Sequence, residues 1–424
     1  MNSPATTAPL PLPRVARFES LAFGLFLHYG LYSQLARGEW AQLVEGISRD
    51  QAGRMRDEFT ASEFNAREIA RLARRAGAKY CTLTARHHDG FSLYDTRGLS
   101  DFDSMQSPAR RDLIGEFVEA CRAEQIVPFI YHTTLDWRWE SHCCDAQKFD
   151  DYLDYLRASV EILCKNYGPL GGFWFDGNWS RKGDWKESEL YSMIRRHQPE
   201  AIINDNSGLG WQWQERHPEL DCMAIEQTMP KSLNWHGWKK HVAGEVCQTL
   251  NAHWGIATRD FNFLSPAQVI ENLVNSRRVG ANYQINFGPA GSGRIPDYER
   301  ATLEIVGQWM SINGRAMYAT RPAGLRCQGR DFVLEGEGKL FYFAMDLAIT
   351  GHENVTVAVG ATGPRSIRGL NRALRSAIWL DNGEHIHFTQ ARDQGYATLN
   401  LTGYPYGSHL VVRVAEIEVD PRED

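Results

Sequence analysis

The 424-residue sequence predicts an α/β protein, a (β/α)8-type catalytic barrel followed by a C-terminal antiparallel β-sandwich domain. Three observations point there. From residue 15 to about residue 322, short apolar runs alternate with amphipathic stretches of helical period, joined by short connections. Polar side chains stand at the end of nearly every apolar run, where a barrel opens its mouth. From residue 323 on, period-two alternation punctuated by Gly and Asn takes over, the pattern of antiparallel strands.

In chain order, the Pro-rich residues 1–14 read as a disordered leader. AFGLFLH (22–28) is the first strand. Thr60 with Glu63 has the spacing of a capping box, and Ile69, Leu72, Ala73 and Ala76 form the stripe of the helix that follows, ending at Gly77. KYCTLTA (79–85) is the second strand. A helix over 107–125 places Leu113, Ile114, Phe117, Val118 and Cys121 on one face, and IVPFIY (126–131) is a strand. A helix over 146–167 precedes the strand GGFWFD (171–176). A helix near 186–198, the strands AIIN, DCMAIE and GEVCQTL, a helix from Ser265, the strand NYQINF and a helix from Asp297 complete the series. Seven or eight strand–helix units over some 300 residues fit a closed barrel better than an open sheet. No GxGxxG follows a strand, which weighs against a dinucleotide fold. In the last hundred residues the alternating segments are FVLEGEGKLFYFAMD, NVTVAVGA, SAIWLD, ATLNLTG and HLVVRVAEIEV.

Composition narrows the function. A net charge of −6 argues against a nucleic-acid surface. The longest apolar run near the N-terminus, LAFGLFL, is too short to span a bilayer. The first twenty residues lack the apolar core of a signal peptide, so a cytoplasmic protein is expected, and the sequons at Asn178, Asn354 and Asn400 carry little weight. The eight cysteines (81, 121, 143, 144, 164, 222, 247, 327) form no CxxC pair and read as reduced, packed thiols. Thirteen Trp and sixteen Tyr supply flat apolar faces that suit sugar rings as well as cores.

The strand ends collect His28, His87–His88–Asp89, Tyr131–His132, Asp176, Asn204–Asp205–Asn206, Glu226 and Asn286. Asp176 closes an apolar run on a carboxylate. Taken alone it is a turn or cap residue before Gly177; among the other strand-end groups it reads as a nucleophile, held rigidly by the strand behind it. His87 and His88 are adjacent and on an extended segment would point opposite ways, one into the mouth and one into the loop. Such a pair is a poor metal site by spacing, although a metal-dependent hydrolase with His28, His87, His88 and Asp176 as ligands is the rival reading. Glu39 and Trp40 alone are a surface acid beside a packed indole. Glu226 closes a second apolar run, and Glu245 precedes its run, nearer the barrel's bottom. Two carboxylates flanking a sugar-sized gap make a glycosidase, retaining or inverting according to their separation. A carbohydrate-binding protein without turnover, or a glycosidase for another sugar, is the remaining alternative.

The segments FGLFLHYGLYS, GEW, the run from EFTASEF to HHDGFSLYDT, RDLIGEFVEACR, YHTTLDW, GGFWFDG, GANYQINFGPAGSGRIP and GQWMSINGRAMYAT together resemble the α-L-fucosidases of glycoside hydrolase family twenty-nine over residues 20 to 320. The resemblance implies a retaining hydrolase of L-fucosides that uses no cofactor. It implies Asp176 as nucleophile, and His28, Glu39, Trp40, His87, His88, Tyr131 and Trp174 as fucose-binding residues. Trp254 resembles the aromatic that encloses the sugar's methyl group. For the acid/base, DCMAIEQ points to Glu226 and GEVCQT to Glu245, with Glu226 preferred. Many members carry Arg where this chain has Asn206. The expected partner is a small carbohydrate, with neither nucleic acid nor membrane; a homo-oligomer is left open.

Overall fold

A computed structural model describes residues 9–139, 146–206, 217–233, 238–351, 354 and 360–421. Eight parallel strands close into a barrel in chain order: β1 (Phe23–Leu27), β2 (Tyr80–Arg86), β3 (Val127–Thr133), β4 (Gly172–Asp176), β5 (Ile202–Asn206), β6 (Cys222–Glu226), β7 (Ala243–Thr249) and β8 (Asn282–Phe287). The helices are α1 (Pro13–Leu21), α2 (Tyr32–Leu35), α3 (Ala41–Val44), α4 (Arg49–Arg56), α5 (Ala66–Ala76), α6 (Leu113–Ala123), α7 (Ala146–Asn166), α8 (Glu187–His197), α9 (Pro266–Arg278) and α10 (Asp297–Asn313). Among the described residues no helix follows β5 or β6. The chain divides into two compact units, Met1–Leu264 with Asn282–Glu304, and Ser265–Ala281 with Ile305–Asp424. No helix among the described residues is long and apolar enough to cross a membrane.

Two expectations need correction. The ordered chain starts before residue 15: Pro13 opens α1, where its missing N–H costs nothing, and Arg14 pairs with buried Asp221 at 3.0 Å. Val15 and Phe18 of α1 then pack with Tyr80, Phe129, Ile202, Cys222 and Ala243 at the strand N-termini, so α1 plugs the barrel floor. The cap of α5 is Asn65, whose side chain accepts from the Glu68 N–H at 3.1 Å. Thr60 and Glu63 lie outside the helix because Ala61 turns to φ 44° and the Glu63 N–H bonds to Ser292.

Nearer the mouth the barrel is filled by Phe26, Tyr131, Trp174, Ala224 and Cys247 from β1, β3, β4, β6 and β7, with Trp254 against them. These inward positions come from alternate residues, as the period of two requires. Five of the cysteines (81, 121, 164, 222, 247) are buried and free, and Cys327 is free and half-buried; Cys143 and Cys144 lie outside the described residues.

In the second unit, β9 (Arg321–Pro322), β11 (Phe332–Gly336), β12 (Lys339–Ala344), β14 (Leu374–Trp379) and β17 (Arg413–Val419) form one antiparallel sheet in the order β14-β17-β12-β11-β9. The other runs β10-β13-β16-β15, built from β10 (Arg326–Cys327), β13 (Gly363–Arg368), β15 (Phe388–Ala391) and β16 (Tyr396–Leu401). Leu340, Tyr342, Trp379 and Ile417 of the first sheet share a core with Ile367, Ala397 and Leu399 of the second, which makes a sandwich. The expected strand NVTVAVGA falls mostly outside the described residues.

Candidate active site

Asp176 ends β4 with four donors around its carboxylate. The Tyr131 hydroxyl donates to Oδ2 at 2.9 Å, and His88 Nε2 stands 3.4 Å from the same oxygen. Trp179 Nε1 donates to Oδ1 at 2.9 Å and Asn206 Nδ2 at 3.2 Å. The Thr134 N–H and hydroxyl both bond to the Asp176 carbonyl, which fixes the backbone. Gly177 follows at φ 112°, and a Cβ there would meet Leu135 at 2.5 Å, so only glycine permits this turn. Burial alone would raise the Asp176 pKa; the bond and charge of His88, with the Trp179 and Tyr131 donors, override it and hold the carboxyl below its usual value.

Glu226 ends β6. Asn206 Nδ2 donates to its Oε2 at 2.8 Å and Trp254 Nε1 to its Oε1 at 3.2 Å. Burial, then the charge of Asp176, raise its pKa against those two bonds. The site therefore pairs a carboxyl group whose ionisation is favoured with one whose ionisation is disfavoured. Because one Asn206 nitrogen reaches both, Asp176 Oδ1 and Glu226 Oε2 are no more than about 6 Å apart.

Three histidines line the opening. His28 Nδ1 is 2.7 Å from Asn286 Oδ1, so Nδ1 carries the hydrogen, and burial pushes its pKa down to about 3. Its Nε2 is left as an acceptor. His88 Nδ1 bonds Thr133 Oγ1 at 2.7 Å. His87 and His88 do not point opposite ways: their rings are 4.2 Å apart, and His87 stacks on Tyr131 at 5.5 Å and 16°. Both residues lie beyond the end of β2, where the extended alternation no longer applies. Burial and then the neighbouring histidines hold the His87 pKa well down.

Glu39 is buried and accepts the backbone N–H groups of Trp254 and Gly255 at 3.0 and 2.8 Å, so it fixes the loop that carries Trp254. The Trp254 ring lies 5.0 Å from His28. Trp40 meets His88 edge-on at 5.4 Å. Trp174 is buried beneath, stacked on Tyr131 at 5.6 Å. Glu245 stands apart from these: its carboxyl is inside the barrel, bonded by Tyr80, Trp174 and Asn204 at 2.6, 2.9 and 2.8 Å.

Trp179 gains a place that sequence reading did not give it, and Asn206, read as a strand-end residue, gains a role. Trp179 reaches back to Asp176, and its spacing of three residues on a tight turn was the available signal. Asn206 links the carboxylates, which follows from its register opposite Asp176 and has no sequence signature. Among the described residues no three His, Cys, Asp or Glu side chains are grouped as metal ligands.

A parallel barrel whose mouth combines two differently tuned carboxyl groups, histidines and aromatic walls is the framework of a glycoside hydrolase. The Alpha-L-fucosidase family model matches residues 6–315. Human tissue α-L-fucosidase is 31% identical over 340 residues, 74% of this chain and 70% of that protein. The structure of α-L-fucosidase isoenzyme 1 from Paenibacillus thiaminolyticus is 30% identical and superposes with a TM-score of 0.83 over 96% of this chain and 99% of that one. A GH29 α-L-fucosidase from Bacteroides thetaiotaomicron, 22% identical, shares the fold at a TM-score of 0.82 over 99% and 98% of the two chains. The chain belongs to the α-L-fucosidase family, glycoside hydrolase family 29.

Proposed function

We propose that this enzyme is a retaining exo-α-L-fucosidase acting on terminal α-L-fucosyl linkages of oligosaccharides or glycosides, with Asp176 as nucleophile and Glu226 as acid/base. The observation that carries the reading is the closeness of the two carboxyl groups, whose facing oxygens, Asp176 Oδ1 and Glu226 Oε2, are held within about 6 Å of each other by the shared Asn206 nitrogen. Retaining glycosidases hold theirs about 5–5.5 Å apart, whereas inverting ones need about 6.5–9.5 Å to admit a water.

In the first step an Asp176 oxygen bonds to the anomeric carbon as the glycosidic bond breaks. The bonding pair goes to the aglycone oxygen, which takes the Glu226 proton. In the second, Glu226 removes a proton from water, the water oxygen bonds to the anomeric carbon, and the ester pair returns to Asp176. Asp176 must start ionised and Glu226 protonated, which is the direction in which each is shifted. Activity therefore falls on the acid side as Asp176 gains a proton and on the alkaline side as Glu226 loses one. His28, His87, His88, Tyr131 and Glu39 supply donors and acceptors around the sugar, while Trp40, Trp174 and Trp254 offer apolar faces to its ring and methyl group. Glu245 has both oxygens bonded inside the barrel and no path to an aglycone, which supports Glu226 in the acid/base role.

The test is nitrophenol release from 4-nitrophenyl α-L-fucoside, with and without EDTA, joined to proton NMR of the first-formed sugar. Turnover that resists EDTA, collapses by at least about a thousandfold in Asp176→Ala and yields α-L-fucose first is the expected result. The β anomer appearing first would sink the retaining reading.

A further inference from the structure

We propose that Thr133 is a positioning residue for this reaction: its hydroxyl fixes a hydrogen on Nδ1 of His88, so that His88 meets Asp176 through a second N–H and as a cation. The proposal rests on the assignment of Asp176 as nucleophile.

The hydrogens around one hydroxyl carry the argument. Thr133 ends β3 as the register partner of Asp176 on β4. Its Oγ1 lies 2.5 Å from the Leu135 carbonyl oxygen, and two oxygens that close need the hydroxyl hydrogen between them. The hydroxyl has no other hydrogen to give. It therefore accepts from the Leu135 N–H at 3.0 Å and from His88 Nδ1 at 2.7 Å, so Nδ1 carries a hydrogen. On the far side of the ring, Nε2 stands 3.4 Å from Asp176 Oδ2. A bare nitrogen there would set a lone pair against an anionic oxygen. A second hydrogen turns the same contact into an ion pair. Thr133 is 0% and His88 1% exposed, so water does not compete strongly for either contact.

The surroundings favour the cation. The titratable groups facing His88 are Asp176 on β4, Tyr131 on β3, His28 beyond β1, and His87 and Asp89 on either side of it. Burial keeps His28 and His87 neutral, so neither adds a competing positive charge. Burial raises the Asp89 pKa to about 6, which still leaves a second carboxylate beside His88 at neutral pH. The indoles of Trp40, Trp137 and Trp179 around the ring carry no charge. Burial works against an ionised Asp176, and the bond and charge of His88 are the largest effects that oppose it. A ring with a hydrogen on each nitrogen supplies both. A neutral ring with its hydrogen on Nδ1 supplies neither.

The experiment measures kcat/KM against pH for wild type, Thr133→Val and Thr133→Ser on 4-nitrophenyl α-L-fucoside. Nitrogen NMR of the histidine rings accompanies it, with the His88 signals assigned by their loss in His88→Gln. In wild type at its pH optimum both His88 nitrogens should carry hydrogen. Val keeps the branched shape of Thr and offers no acceptor. In Thr133→Val the ring should give up the hydrogen on buried Nδ1 and keep the one on Nε2, so the contact with Asp176 survives and the charge does not. The acid limb should then move to higher pH by about one unit, since Asp176 loses an opposite charge at short range. The alkaline limb, set by Glu226, should stay in place. Thr133→Ser keeps the hydroxyl and should keep both limbs and both hydrogens. A single hydrogen on His88 in the wild-type enzyme would overturn the proposal. So would a Thr133→Val profile that falls with its limbs unmoved, which is what a purely structural role predicts. If Thr133→Val does not fold, Thr133→Ala carries the same prediction, and the wild-type spectrum decides the charge without any variant. Wild-type enzyme without turnover on any α-L-fucoside would instead refute the functional reading on which the proposal stands, with the His88 spectrum unaffected.

Discussion

Trp174 Nε1 lies 2.9 Å from Glu245 Oε2, a bond inside the barrel and two residues before Asp176 on β4. Glu245 thus carries the indole against which Tyr131 stacks, and Tyr131 in turn donates to Asp176. Burial raises the Glu245 pKa to about 7 although three donors favour its anion. Below about pH 4.5 the carboxyl is protonated in both folded and unfolded chains. Between there and about pH 7 the folded chain binds more protons, so stability falls as pH rises, and above that range the loss is complete. Chemical denaturation across this range should show wild type losing on the order of 3 kcal/mol that Glu245→Gln does not lose. Azide should rescue Glu226→Ala on an aryl fucoside and fail to rescue Glu245→Ala. Rescue of the second and not the first would move the acid/base role into the barrel.

The cap of α5 shows where sequence patterning stops being sufficient. Thr60 and Glu63 have the right types at the right spacing, but Ala61 adopts a left-handed conformation and breaks the turn between them. Asn65 makes the cap instead. Asn65→Ala should lower the unfolding free energy by about 1 kcal/mol, whereas Thr60→Ala on the exposed loop should stay within about 0.5 kcal/mol. Equal costs at the two positions would restore the box.

The same limit explains what was legible in the site. Strand ends could be read because a barrel strand is an apolar run that stops at the mouth, and this placed His28, Asp176 and Glu226 correctly at its rim. The facing of His87 and His88 could not be read, since alternation ends with β2 and the loop conformation is set by contacts with Tyr131, Thr133 and Trp40. The Asn206 bridge needs the β4–β5 register, and α1 has too short a pattern to stand out from a Pro-rich start. Such features depend on residues distant in the chain.

Trp179 offers a contrast to Asn206. Its N–H donates to Asp176 Oδ1, no bond runs from it to Glu226, and its ring lies near-parallel to Trp40 at 6.2 Å and 25°. At 39% exposed it is the most accessible of the donors on Asp176. Phe at this position keeps the ring face and removes the donor. Because the lost bond favoured the ionised carboxyl, the acid limb of kcat/KM in Trp179→Phe should move to higher pH while the alkaline limb, set by Glu226, stays in place. The loss of rate at the optimum should be about fivefold or less, since solvent can replace a donor at so exposed a position. Limbs that move together would mean that Trp179 acts on the pair and not on Asp176 alone. An acid limb that does not move would mean that the indole leaves Oδ1 before the anomeric carbon arrives.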